Sequence, residues 1–157
     1  MKRLVVYDSE YGNTDKIAHV IAHTIEARIL PVSKARVEDL DSVSVLVVGS
    51  PTQGGRPTPA LQKFLEKIPD HKLENRRVAA FDTRFAIGEH GLGLKLVMKT
   101  IGFAAPRIAS ELTSKGGDLA CGPEGFIVND KEGPLKDGEI ERASSWAKNV
   151  VAVYEAA

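Results

Sequence analysis

One cysteine, one tryptophan, no excess of either charge and no long apolar run set the first limits on this 157-residue chain. The single thiol, Cys121, excludes an intrachain disulfide and fits a reducing compartment. Its setting, Ala120-Cys121-Gly122-Pro123 with no histidine beside it, is that of an ordinary loop cysteine rather than a nucleophile. Lys plus Arg and Asp plus Glu each total 21, so the net charge is zero, and the two signs are interspersed. Neither the basic excess nor the basic stripe of a nucleic-acid binder is present. Met1-Lys2-Arg3 resembles the start of a signal peptide, but the apolar run Leu4–Tyr7 stops at Asp8. Such a run is too short for an export signal or a membrane span. The expectation is a cytoplasmic monomer or weak dimer with no nucleic-acid and no membrane partner.

What is present is globular: 43% of residues are hydrophobic and 27% charged, with no repeat, linker or low-complexity tract. This implies one domain over residues 1–157. Leu4–Tyr7 is a short apolar run of the kind that forms a strand buried on both faces. From Asn13 the period changes, with Ile17, Val20, Ile21, Thr24 and Ile25 at helical spacing and Asn13 or Thr14 as the cap. Arg28–Val32 reads as a second strand, Val43–Gly49 as a third and Arg77–Phe81 as a fourth. A helix is expected from near Pro57, with Leu61, Phe64, Leu65 and Ile68 on one face. Another is expected around Leu94, Val97, Met98 and Ile101, ended by Gly102. Arg107–Leu112 reads as a fifth, weaker strand of mixed polarity. Phe126-Ile127-Val128 interrupts a Gly-rich stretch, which lies either at the sheet edge or in the site. A last helix starts near Glu139. Alternating strands and helices of this kind build an open parallel sheet covered on both faces.

In such sheets ligands bind beyond the carboxyl ends of the strands, where the strand order reverses. The loop after strand one, Ser9-Glu10-Tyr11-Gly12-Asn13-Thr14, offers hydroxyl and amide donors and a glycine that lets the backbone approach an anion. It opens onto a helix N-terminus, where unpaired N–H groups favour a phosphate. The endings of the Walker loop and of the dinucleotide fingerprint are both absent.

These residues resemble the flavodoxin family. Ser9–Thr14 after a first strand looks like the FMN phosphate loop. Gly49-Ser50-Pro51-Thr52, Phe81-Asp82-Thr83-Arg84 and Glu132-Gly133-Pro134-Leu135 leading into Gly138-Glu139 extend the likeness over nearly the whole chain. The resemblance implies a flavodoxin-like, doubly wound five-stranded parallel sheet, order 2-1-3-4-5, with FMN as cofactor. It also implies a redox partner protein of unknown identity. Carried over by position, Ser9, Glu10, Tyr11, Gly12, Asn13 and Thr14 would surround the phosphate. Pro51, Thr52, Gln53 and Gly54 would line one side of the isoalloxazine ring, and Asp82, Thr83, Arg84 and Phe85 the other.

The chain departs from the family in two respects. Flavodoxins usually sandwich the ring between aromatic side chains, whereas the loop after strand three has none and Trp146 lies on the last helix. Phe85 and Tyr11 are the only aromatic candidates. Typical flavodoxins are also acidic, and this chain is neutral. An electron carrier is therefore the leading reading. The alternatives are an NAD(P)H-dependent FMN or quinone reductase, and a domain that has lost FMN and binds another phosphorylated ligand. His19 and His23, four apart on a helix, read as a solvated face rather than a zinc pair. His71 and His90 read as surface residues. Arg56 and Arg84 are expected at the rim of the site, and an ionised Asp82 near the flavin would lower its potential.

Overall fold

The computed structural model describes residues 2–85 and 102–156. The first strand, β1 (Arg3–Tyr7), leads into helix α1 (Asn13–Thr24) and returns as β2 (Arg28–Pro31). Two short 3₁₀ turns precede β3 (Val45–Pro51), which is followed by α2 (Pro59–Lys67) and the nine-residue β4 (Arg77–Phe85). Helix α3 (Ala104–Ser114), the short strands β5 (Asp118–Leu119) and β6 (Glu124–Val128), and α4 (Glu139–Ala156) complete the fold. All strand pairs are parallel, in the order β2-β1-β3-β4-β5, with β6 also on β4.

The two-residue period of the strands sorts the core into two layers. Leu4, Val6, Leu46, Val48, Val78 and Ala80 face Leu61, Phe64, Leu65, Ile108 and Leu112 of α2 and α3. Their neighbours Val5, Tyr7, Val45, Val47, Ala79 and Phe81 face Ile17 and Ile21 of α1 and Ala143, Trp146, Ala147 and Val150 of α4. Strands with both faces buried read as unbroken apolar runs, which is why β1 and β3 stand out in the sequence.

Two expectations are corrected. Arg107–Leu112 is not a strand: Ala104, Ala105, Ile108, Ala109 and Leu112 form one buried helical stripe, so the segment belongs to α3. The fifth position of the sheet is shared instead by two pieces. Asp118 and Leu119 pair with Arg77 and Val78, and Glu124–Val128 pair with Phe81–Phe85. The short run Phe126-Ile127-Val128 is therefore sheet. The cap of α1 also differs, since it is Gly12, at φ +94, and neither Asn13 nor Thr14. The helix expected at Leu94–Ile101 lies outside the described residues, as does His90.

Candidate functional site

Strands β1, β3 and β4 end side by side, and the loops after β1 and β3, together with the end of β4, line a cavity of about 450 Å³ at the carboxyl edge of the sheet. It is lined by Glu10, Tyr11, Asn13 and Thr14 from the first loop and Pro51, Thr52 and Gln53 from the second. Thr83, Arg84 and Phe85 contribute from the end of β4, and Val128 and Lys131 from the end of β6. Ten of the fourteen residues expected from sequence thus share one cavity.

The first loop is closed by its own side chain. Ser9 Oγ accepts from the N–H of Gly12 at 3.1 Å and of Asp15 at 3.2 Å, so Ser9 shapes the loop from behind. Gly12 can take its positive φ because it has no Cβ. The first-turn amides of Asn13 and Thr14 have no preceding helical carbonyl to bond. They have no acceptor among the described residues, so they remain as donors at the cavity wall. Asp8 secures the loop from below, taking the N–H of Ser9 at 2.9 Å and the hydroxyl of Thr58 at 2.5 Å. Tyr7 donates to Asp15 at 2.5 Å. Burial and that carboxylate push the Tyr7 phenol up to about 12.

The second loop is a tight hairpin in which Gln53 and Arg56 exchange both backbone hydrogen bonds, at 2.8 and 3.1 Å. Gly54 and Gly55 between them have φ of +57 and +79, the pair of positive values that a type I′ turn needs. The turn carries Gly54 off the cavity wall and directs Arg56 to a separate 280 Å³ depression between α2 and α3, rather than to the rim of this site. Gln53 bonds back to Glu10 at 2.6 Å, and the N–H of Thr52 bonds the carbonyl of Thr83 at 3.0 Å. The hydroxyls of Thr14 and Thr83, 2.8 Å apart and buried, tie the first loop to the end of β4.

Asp82 does not line the cavity. It is fully buried and forms a two-pronged pair with Arg84, at 2.7 and 2.8 Å, while accepting the N–H of Ala105 at 2.8 Å. The Arg84 guanidinium lies 3.7 Å from the Phe103 ring centroid and across Gly125. A Cβ at Gly125 would come within 2.0 Å of Arg84 Nε. The carboxylate charge is thus compensated by its neighbour, which removes the ground for expecting an uncompensated negative charge from Asp82 near a bound ring. Val128 and Lys131 were not anticipated from sequence. The available signal was the apolar run at Phe126–Val128, whose carboxyl end reaches the same edge once it is recognised as a strand. His19 and His23 are exposed, with His19 Nδ1 2.9 Å from the Asp15 carbonyl oxygen. The Cys121 thiol is half-buried and pushed up by burial and by Glu124.

An open parallel sheet in the order β2-β1-β3-β4-β5, with helices on both faces, defines a doubly wound α/β class of domain. Residues 4–87 match the family model described as a flavodoxin domain, and the chain belongs to that family. It is 28% identical over 155 residues to an uncharacterised protein of Methanocaldococcus jannaschii, covering 96% of this chain and 99% of that one. It is 34% identical over 73 residues to a flavodoxin of Aquifex aeolicus, covering 43% and 40% of the two chains. Flavodoxin 1 from Bacillus cereus has the same fold, with a TM-score of 0.74 at 15% identity over 97% of this chain and 98% of that one.

Proposed function

We propose that this flavodoxin-family chain binds FMN at the carboxyl edge of its sheet and serves as a one-electron carrier for a partner protein. The observation that carries the reading is the cavity itself, in which a loop whose Asn13 and Thr14 amides have no acceptor among the described residues meets the second loop and the end of β4. The donor set suits a phosphate: Tyr11, Asn13 and Thr14 supply a hydroxyl, an amide and a hydroxyl beside those N–H groups. Pro51, Thr52 and Gln53 would lie along one side of the ring, and Thr83, Arg84 and Phe85 along the other. Tyr11, 41% exposed on the first loop, and Phe85 are the aromatic side chains in the lining. When bound, FMN takes up and releases electrons singly, while the protein supplies binding, orientation and electrostatics.

The test is the visible absorption spectrum of the purified chain with and without added FMN. Flavin bands that co-purify, or that shift on titration, are expected, as is a one-electron intermediate on stepwise reduction. A chain that stays colourless and leaves the FMN spectrum unchanged would overturn the reading. The absence of an aromatic residue from the second loop favours one alternative, a reductase in which a nicotinamide approaches that side of the ring. Steady oxidation of NADPH with a quinone acceptor would select it.

A further inference from the structure

The strand end that the sequence did not reveal brings a cation to a cavity whose phosphate loop has none. After β6 the chain makes a tight turn in which the N–H of Gly133 bonds the carbonyl of Asp130 at 3.0 Å. Lys131 stands at its second position, with its own N–H on the Asp130 carboxylate at 2.8 Å. The turn is anchored on both sides: the N–H of Asn129 bonds the Pro134 carbonyl at 2.9 Å, and that of Lys136 bonds the Ile127 carbonyl at 2.8 Å. Its far side packs against the first loop. The Asn13 side chain lies where a Cβ on Gly133 would be, with Oδ1 2.6 Å from that point. The turn that carries Lys131 is therefore fixed against the first loop, with Lys131 in the lining of the cavity. Among the described residues its ammonium has no ion pair. Of the other charged groups in the lining among the described residues, Arg84 is charge-paired with Asp82, and Glu10 accepts a hydrogen bond from the neutral amide of Gln53.

We propose that Lys131 is a phosphate-recognition residue, supplying, among the described residues, the one uncompensated positive charge of a cavity whose other phosphate ligands are neutral. In its FMN form the proposal rests on the function proposed above. A terminal phosphate is close to a dianion at neutral pH. An ammonium at the open side of the loop adds a charge-assisted hydrogen bond that neutral donors cannot replace. Because Lys131 is exposed, the gain is moderate and sensitive to salt.

The experiment titrates wild type, Lys131→Met and Lys131→Arg with FMN and with riboflavin, which lacks the phosphate, at low and high salt. Lys131→Met should weaken FMN binding by about three- to tenfold and leave riboflavin binding unchanged. Lys131→Arg should restore the FMN affinity, and high salt should erase most of the difference. An FMN affinity that does not change, or an equal loss for both ligands, would overturn the proposal. If wild type binds neither flavin, the FMN reading fails and Lys131 is judged on inorganic phosphate followed by ³¹P NMR. Weaker phosphate binding in Lys131→Met would then uphold its role, and equal binding would end it.

Discussion

At the scale of single residues, the end of β4 depends on a pairing that leaves no room for adjustment. Asp82 is completely buried, and a buried carboxylate is tolerated only with a close partner and satisfied oxygens. Arg84 provides two hydrogen bonds and the Ala105 amide a third, so β4 and the first turn of α3 are joined through one side chain. The guanidinium can reach Asp82 because residue 125, opposite Asp82 on β6, has no side chain. Gly125→Ala should displace Arg84 and strand the carboxylate. The expected loss is about 3 kcal/mol or more of unfolding free energy, the usual cost of breaking a buried pair on one side. Urea unfolding at neutral pH would measure it. A midpoint equal to wild type would mean that the guanidinium is free to move and that the pair does not constrain the end of β4. The sequence placed Asp82 and Arg84 at the carboxyl edge of the sheet but gave no sign that they satisfy one another, which turns Asp82 away from the cavity. Residues two apart on a regular strand face the same way, yet their pairing needs the gap at Gly125, which lies on another strand.

At the scale of elements, the joint between β6 and α4 turns on Glu139. Its carboxylate accepts the Ile127 N–H at 2.6 Å and both arms of Arg142, at 2.9 and 2.7 Å. Burial alone would raise its pKa, but the Arg142 and Ile127 hydrogen bonds outweigh burial and hold it below its ordinary 4.5. A carboxyl whose pKa is depressed on folding adds stability above its unfolded value, and that stability is lost as the pH falls through the folded one. Glu139→Gln should therefore be less stable than wild type at pH 7 by about 1–3 kcal/mol. The gap should narrow as the medium is taken below pH 4.5. Unfolding curves at several acidic pH values would check this, and a gap independent of pH would assign the loss to packing. This joint also marks where the sequence stopped being legible. Strands β1 and β3 were readable as unbroken apolar runs and helices α1 and α4 as patterns of helical period, whereas the apolar run of β4 ends at Phe81 and the strand continues to Phe85. Arg107–Leu112 was misread because a six-residue window of mixed polarity fits either period. Its helical stripe emerges only when Ala104 and Ala105 are included. The fifth strand was missed because it comes in pieces of two and five residues, and its pairing with β4 is fixed by tertiary contacts. Lys131 was invisible for the same reason, since its place at the cavity follows from β6 being a strand.

At the scale of the whole molecule, the cavity exists only when the chain is folded. Its walls come from residues 10–14, 51–53, 83–85 and 128–131, which meet only because the parallel sheet lays their strands side by side. A ligand that occupies it binds the folded chain and has no equivalent site on the unfolded one. The free energy of unfolding must then rise with ligand concentration, by about 2.7 kcal/mol at a hundred times Kd. For a chain of this size a change of that order raises Tm by about 5–10 °C. Trp146 makes the measurement direct. It is the only tryptophan, and it packs edge-on against Phe81 and Phe126, with centroids 6.2 and 6.1 Å away, in the layer beneath α4. Its emission therefore reports unfolding of the core rather than fraying of a loop. With saturating FMN, the tryptophan and far-ultraviolet circular dichroism transitions should move upward together, and riboflavin should move them less by the contribution of the phosphate. If FMN perturbs the flavin spectrum yet leaves Tm unchanged, the flavin is held at a surface that survives unfolding. The carboxyl-edge cavity would then not be its site.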